Sequence, residues 1–273
     1  MNKSALIIST IILLLLSLAV QGQTSGKHQS GIYMGGGLST IHYNPDGATH
    51  KPCYGGELGL AYNYFFSPKW SLSTGLGLGI YQAKAESSLL SGNNSGIDPV
   101  FPDKNYTMNY TYLSFEEKQK LYLLNIPIML QYWISPKFYV AAGGKLGIPA
   151  SGYYEISAAN LTTTGSFSHE GRTYSGLDYG FQSSDNKYIK QNLDLKSACI
   201  LSAELGMKWK VSKTKLFTSL YVDYGVNNMQ KTTTNTLISY QPEDSGYLKL
   251  NSITSISNKI NILSTGIKTG LSF

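Results

Sequence analysis

This chain of 273 residues has two cysteines, four histidines and a single arginine, Arg172. Ligand-type side chains are few, and no CxxC, HExxH, phosphate-loop or paired-His spacing occurs, so metal and nucleotide chemistry have no support and no cofactor is expected. Cys53 and Cys199 lie far apart on alternating segments. Nothing in the spacing brings their Cα atoms within bridging distance, and they are read as unbridged. Charge is scarce too, at 14% of residues, and the lysines are scattered. Nucleic-acid binders gather Lys and Arg on one face, so no nucleic-acid partner is expected. The formal charge is +6, of which Lys3 supplies one. After Val20 no apolar run approaches the length of a membrane-spanning helix, which excludes a helical membrane protein.

The one long apolar run, Ala5 to Val20, follows Lys3 and leads into Val20-Gln21-Gly22, whose first and third positions are small enough for signal-peptidase cleavage before Gln23. Residues 1–22 are therefore expected to be a cleaved secretory signal. The run falls short of the roughly 20 residues that a spanning anchor needs. No Cys follows it until Cys53, which argues against a lipoprotein. Residues 23–30 are then a short N-terminal segment, and 31–273 form one domain.

What the chain has in quantity is glycine (28) and tyrosine (21), against nine phenylalanines. That balance suits many strands with tight turns and aromatics placed between water and lipid. Between residues 70 and 82, Trp70, Leu72, Leu76, Leu78 and Ile80 alternate with Ser71, Ser73, Gly75, Gly77 and Gly79, a period of two and hence a strand. The same alternation recurs at 54–66, 119–133, 138–150, 193–209, 216–226 and 263–273, and more weakly at 31–43, so eight strands are expected. At 193–209 the large face is read as Leu193, Leu195, Cys199, Leu201, Leu205, Met207 and Trp209. Gly75-Leu76-Gly77-Leu78-Gly79 mimics a phosphate loop, but inside an alternating strand its glycines make room in a narrow interior.

Two stretches nearly repeat each other: YFFSPKWSLSTGLGLGI at 64–80 and YWISPKFYVAAGGKLGI at 132–148. Each is a tight hairpin with its flanking strands, Pro68 or Pro136 fixing φ at the bend and Lys69 or Lys137 meeting solvent. A looser third bend is Val211-Ser212-Lys213-Thr214-Lys215. Around these bends Tyr64, Phe66, Trp70, Tyr132, Phe138, Trp209 and Phe273 fall on the large face, forming an aromatic girdle at one end. The other connections are long, about 10, 35, 38 and 28 residues, and rich in Ser, Thr, Asn, Gly and Tyr. Short turns at one end and long loops at the other describe an outer-membrane barrel. The expected fold is all-β: an eight-stranded antiparallel transmembrane β-barrel with short periplasmic turns and long extracellular loops, in a bacterial outer membrane and in contact with its lipid.

Energetics agree. Lipid-facing Lys or Arg costs roughly 2–4 kcal/mol at mid-bilayer, and the central parts of the large faces carry no charge. The small faces do, at Glu57, Lys145, Glu204, Asp223 and Lys268. An eight-stranded barrel is just wide enough inside for side chains, so these charges must pair or hold water. A plugged interior is expected.

LYLLNIPIMLQY at 121–132, with its central Ile-Pro, resembles the strand that marks the PorT-like outer-membrane β-barrel family. AAGGKLGIPASGYYEI at 141–156 is similar to the glycine-rich strand that follows there. LYVDYGVNN at 220–228 resembles that family's late strand, although Val222-Asp223 stands where the resemblance leads one to expect an Arg before the Tyr. The likeness covers nearly the whole mature chain. It implies a barrel in the outer membrane and no single activity, the named member serving protein secretion.

Catalysis is not expected. His28, His50 and His169 lie away from any membrane edge, and spacing attaches no Ser and carboxylate to His42, the one histidine placed where a lipid-modifying enzyme needs a base. Asp98-Pro99 and Glu243-Asp244 are loop acids without liganding company. Asn93, Asn105, Asn109 and Asn160 sit in outer loops suited to a protein or glycan partner. The leading reading is a non-enzymatic plugged barrel that works through its outer loops. The rival readings are a narrow porin and, last, a lipid-modifying enzyme.

Overall fold

The computed structural model describes residues 27–97, 101, 103–175, 183–211, 214–231, 236–240 and 248–273. The expected signal, Asp98-Pro99, Ser212-Lys213 and Glu243-Asp244 lie outside the described residues. Eight strands carry the architecture: β1 (His28–Tyr43), β2 (Tyr54–Phe65), β3 (Trp70–Ser87), β4 (Ser114–Trp133), β5 (Phe138–Phe167), β6 (Ala198–Val211), β7 (Thr214–Gly225) and β8 (Ile260–Ser272). Each pairs antiparallel with its neighbours in chain order. β8 closes on β1, with Gly31 opposite Ser272 and Tyr43 opposite Ile260, so the eight strands form a ring with no free edge. Closure leaves the ring no open edge of unpaired main-chain groups, as strands in hydrocarbon require.

The repeated Ser-Pro-Lys bends fold alike. Ser67 Oγ accepts hydrogen bonds from the Lys69 and Trp70 amides at 3.3 and 3.1 Å, and Ser135 Oγ accepts from those of Lys137 and Phe138 at the same distances. The start of β1 and the end of β8 lie at this same end of the ring.

Alternation sorts the side chains. Leu58, Leu72, Leu78, Ile128, Leu146, Leu201, Leu205, Leu220 and Ile267 are exposed on the outer wall. Ser71, Asn125, Gln131, Lys145, Ser202, Ser219, Asp223 and Ser264 are buried inside. An apolar belt around a polar bore inverts the soluble pattern, and a bilayer is the solvent that makes it stable. The belt ends on the far side where Lys84 pairs with Glu86 and, at 2.8 Å, with Glu116, Lys118 meets Glu116 at 2.9 Å, and Lys190 meets Glu155 at 2.7 Å.

Beyond those charges the sequence reading needs correction. Segments taken as loops, 83–118 and 151–192, are largely strand. β3 and β4 run on together to Ser87 and Ser114, and β5 continues to Phe167. A hairpin of Leu90–Ile97 and Asn105–Tyr112 docks on β5, pairing Thr107 with Ser166, and Ser183–Asn192 pairs along β5 from Thr162 to Tyr153. Asn93, Asn105, Asn109 and Asn160 therefore sit in strands. The barrel stands clear of the lipid as a β-structured extension with its own core, including Ile41, Tyr43, Leu90, Tyr112, Phe115, Leu121, Ile156 and Leu161. Leu193 and Leu195 also belong to that core and not to the lipid face. They precede β6, and an isolated bridge from Leu195 to Gln230 turns this stretch over the barrel's top. The first strand, likewise, starts at His28 instead of 31.

Candidate functional site

Strand alternation alone puts the five charged interior residues on the bore side, and the ring brings them within reach of one another. Lys145 on β5 bonds Asp223 Oδ2 on β7 at 2.7 Å, both side chains 2% exposed, and Ser202 Oγ donates to Asp223 Oδ1 at 2.6 Å. Lys268 on β8 pairs with Glu204 on β6, and its ammonium stands 5.0 Å from the Tyr33 ring centroid and 5.7 Å from that of Tyr221. Glu57 is held by neutral donors: Tyr33 OH at 2.5 Å and Asn125 Nδ2 at 2.5 Å. Asn125 also reaches Tyr81 OH at 3.1 Å. Every one of these carboxylates has a partner, which is the condition for keeping charge inside a dry wall.

The glycines of the 75–79 stretch make this packing fit. A Cβ on Gly77 would lie 2.5 Å from Tyr33 OH and 2.8 Å from Glu57 Oε1, and one on Gly79 would lie 2.8 Å from Asn125 Nδ2. Toward the turn end the bore is filled by Met129, Trp133, Tyr139 and Ala141. Between the two layers remains a cavity of about 50 Å³ bordered by Tyr33, Tyr139, Lys145, Glu204 and Lys268, room for a few waters. A second, of about 10 Å³, lies beside Glu57 and Asp223.

Two interior charges escaped the sequence reading. Lys208, on the same face of β6 as Glu204, is buried and donates to Gln29 Oε1 at 2.6 Å, its ammonium 4.9 Å from the Trp133 ring centroid. Glu117 lies on β4 above the lipid, in the extension. It is fully buried, where its strand was expected to have given way to loop. Gln119 Nε2 donates to Glu117 Oε1 at 2.6 Å, the Ile253 amide to Oε2 at 2.7 Å, and Ser252 Oγ to Oε1. The carboxylate thus fastens the 3₁₀ turn Ile253–Ile256 to the barrel wall. Burial pushes its pKa up to about 7, against the three donors that favour the ionised form.

The girdle residues sit at the turn end, where Tyr64, Phe66, Trp70, Phe138 and Phe273 are exposed, Tyr132 and Trp209 are half-buried, and the Trp70 and Tyr132 rings lie 4.8 Å apart. His42 stands edge-on to His50 at 5.8 Å, and among the described residues no serine or carboxylate is hydrogen-bonded to it. Cys53 and Cys199 are free thiols. Among the described residues no group of three or more His, Cys, Asp or Glu is placed to hold a metal ion.

The family model described as outer membrane protein beta-barrel domain matches residues 21–231, well over half of the chain. The chain belongs to that family. Its place is the outer membrane. Among solved structures, the barrel is similar to Ail, the attachment invasion locus protein of Yersinia pestis, at 13% identity and a TM-score of 0.32, over 90% of this chain and 99% of that one. It is similar to OprG from Pseudomonas aeruginosa at 13% identity and 0.29, covering 90% and 92%. It is also similar to the outer membrane protease OmpT from Escherichia coli at 10% identity and 0.33, covering 92% and 97%. No curated protein sequence matches it. The fold of this outer-membrane barrel rests on its own strand register.

Two outcomes follow. Asp223→Ala strands the Lys145 ammonium in the bore and should lower unfolding stability by about 3–5 kcal/mol, whereas Lys145→Met/Asp223→Leu together should cost far less; denaturant unfolding into vesicles measures both, and equal losses contradict the pairing. Glu117 has a folded pKa above the roughly 4.3 of an unfolded chain, so the unfolded state ionises first and the extension loses stability as pH climbs from about 4.3 to about 7, by up to about 1.4 kcal/mol per unit. Hydrogen exchange at 252–257 should quicken over that range beyond the intrinsic rate, and Glu117→Gln should flatten the effect; a flat profile in the parent contradicts it.

Proposed function

We propose that this outer-membrane barrel is a non-enzymatic, closed barrel that works by presenting its β-structured extension to a partner outside the cell. The observation that carries this reading is the contrast between the two ends of the bore. Ion pairs and aromatics fill the inside, leaving cavities of about 50 and 10 Å³, while the material above the lipid is ordered into strands around an apolar core. A pore has no use for either. On the extension, Leu89, Ile97, Leu113 and Tyr188 are 56–69% exposed. Large apolar side chains raised beyond the membrane are suited to contact with a protein or glycan. The Ile126-Pro127 strand and its PorT-like resemblance extend the reading to a partner that serves protein secretion.

The test is site-specific photocrosslinking in intact cells from positions 113 and 188, with Leu205 on the lipid face as control. One discrete adduct from the extension positions and none from 205 is expected. Adducts that do not differ between the two sets contradict the reading.

A further inference from the structure

The turn end of the barrel has a charge pattern that neither the membrane nor the interior network uses. No Asp or Glu occurs before Asp46, between Glu57 and Glu86, between Glu117 and Glu155, between Glu204 and Asp223, or after Asp244. These are the stretches that enter, turn and leave at the periplasmic end, and lysines populate them. At that end a cleft of about 610 Å³ lies at the mouth of the bore, below its packed interior. Lys208 forms its floor, buried and, among the described residues, hydrogen-bonded to the neutral Gln29. Phe65 and Trp133 form its walls, with ring centroids 5.9 Å apart. Lys210 and Lys215 stand at its mouth directly opposite each other on β6 and β7. Like charges facing across a strand pair are destabilising unless something negative lies between them.

The rim is built and not merely basic. The Trp133 amide donates to the Lys69 carbonyl at 2.8 Å, and the Lys208 amide to that of Lys137 at 2.7 Å, so both Ser-Pro-Lys bends are tied down beside the cleft. Among the described residues no carboxylate lies within ion-pair distance of Lys69, Lys137, Lys208, Lys210 or Lys215. A volume of this size with apolar walls and a few convergent polar groups at a barrel mouth is what small-molecule sites have in common.

We propose that the periplasmic mouth is a binding site for a soluble organic anion, its carboxylate or phosphate seated among Lys208, Lys210 and Lys215 and its apolar body against Phe65 and Trp133. The occupant comes from solution and not from the membrane. On β6, Lys208 and Lys210 share the bore side with Glu204, whereas Leu205 faces lipid, and in register Lys215 and Phe217 follow the same side on β7.

The experiment titrates the purified mature protein in neutral detergent with 4-phenylbutyrate, the uncharged 4-phenylbutanol and inorganic phosphate, following tryptophan emission, since Trp133 lines the cleft. Saturable binding of phenylbutyrate is expected, with phenylbutanol and phosphate each at least about ten-fold weaker, the worth of one charge-assisted contact or of the apolar body. Lys210→Gln/Lys215→Gln relieves a like-charge contact without touching the interior packing, so it should fold as the parent does, shown by heat-modifiable gel mobility, yet bind phenylbutyrate at least about ten-fold more weakly. Lys208→Met should do the same. Equal affinity for the acid and the alcohol, unchanged binding in the rim variant, no saturable binding, or binding that appears only when anionic phospholipid is added would each overturn the proposal.

Discussion

The narrowness of an eight-stranded bore governs this structure. Side chains fill such an interior, and little water remains to solvate a charge. The ionisable groups carried inward must therefore each find a partner among the side chains there. Lys145 with Asp223 and Lys268 with Glu204 do so as ion pairs, and Glu57 does so through Tyr33 and Asn125. The pairs join strands that are not neighbours on the wall: β5 to β7 and β8 to β6. Each bridges one intervening strand inside the bore, a link that main-chain hydrogen bonds between adjacent strands cannot make. The glycines opposite Tyr33 and Asn125 belong to the same solution, because a larger residue there would displace the groups that hold Glu57.

Outside the wall the solvent changes along the axis, and the packing changes with it. In the lipid belt the large residues face out and the core is polar. Above Lys84, Glu116 and Lys118 the wall meets water, and the large residues turn inward: Tyr43, Leu90, Tyr112 and Phe115 are all but completely buried. One continuous pair of strands, β3 with β4, serves both environments and reverses its chemistry in a single register from Trp70 opposite Tyr132 to Ser87 opposite Phe115; the shift at Tyr122 and Leu123 lies on the other side of β4, against β5. Glu117 lies just past that change, buried among apolar neighbours and fixed by donors from the 3₁₀ turn.

The fold was legible in the sequence where one rule held without exception. Within the lipid belt, alternation of large and small residues reports the face directly, as at 70–82 and 216–226. The extension was not legible, for a physical reason. Its strands carry Ser, Thr, Asn and Gly, whose local preferences are for turns, and long-range pairing to β5 overrides them. A period of two survives at Tyr106, Met108, Tyr110 and Tyr112, and was the available signal. Leu193 and Leu195 continue the spacing of the lipid face of β6 and so read as outward, although the chain has already left the wall at that height. Lys208 shares the small face with Glu204, so the same alternation was the signal that places it inside. Which carboxylate pairs with which lysine was beyond reach, since that depends on register between strands far apart in the chain.

If the paired charges and the aromatic layer close the bore, no continuous path for ions crosses the barrel. Single-channel recording of the purified protein in planar bilayers measures this directly. No steady open level above the bare membrane is expected across a range of voltages. A large, stable conductance carried by the unmodified barrel would contradict it.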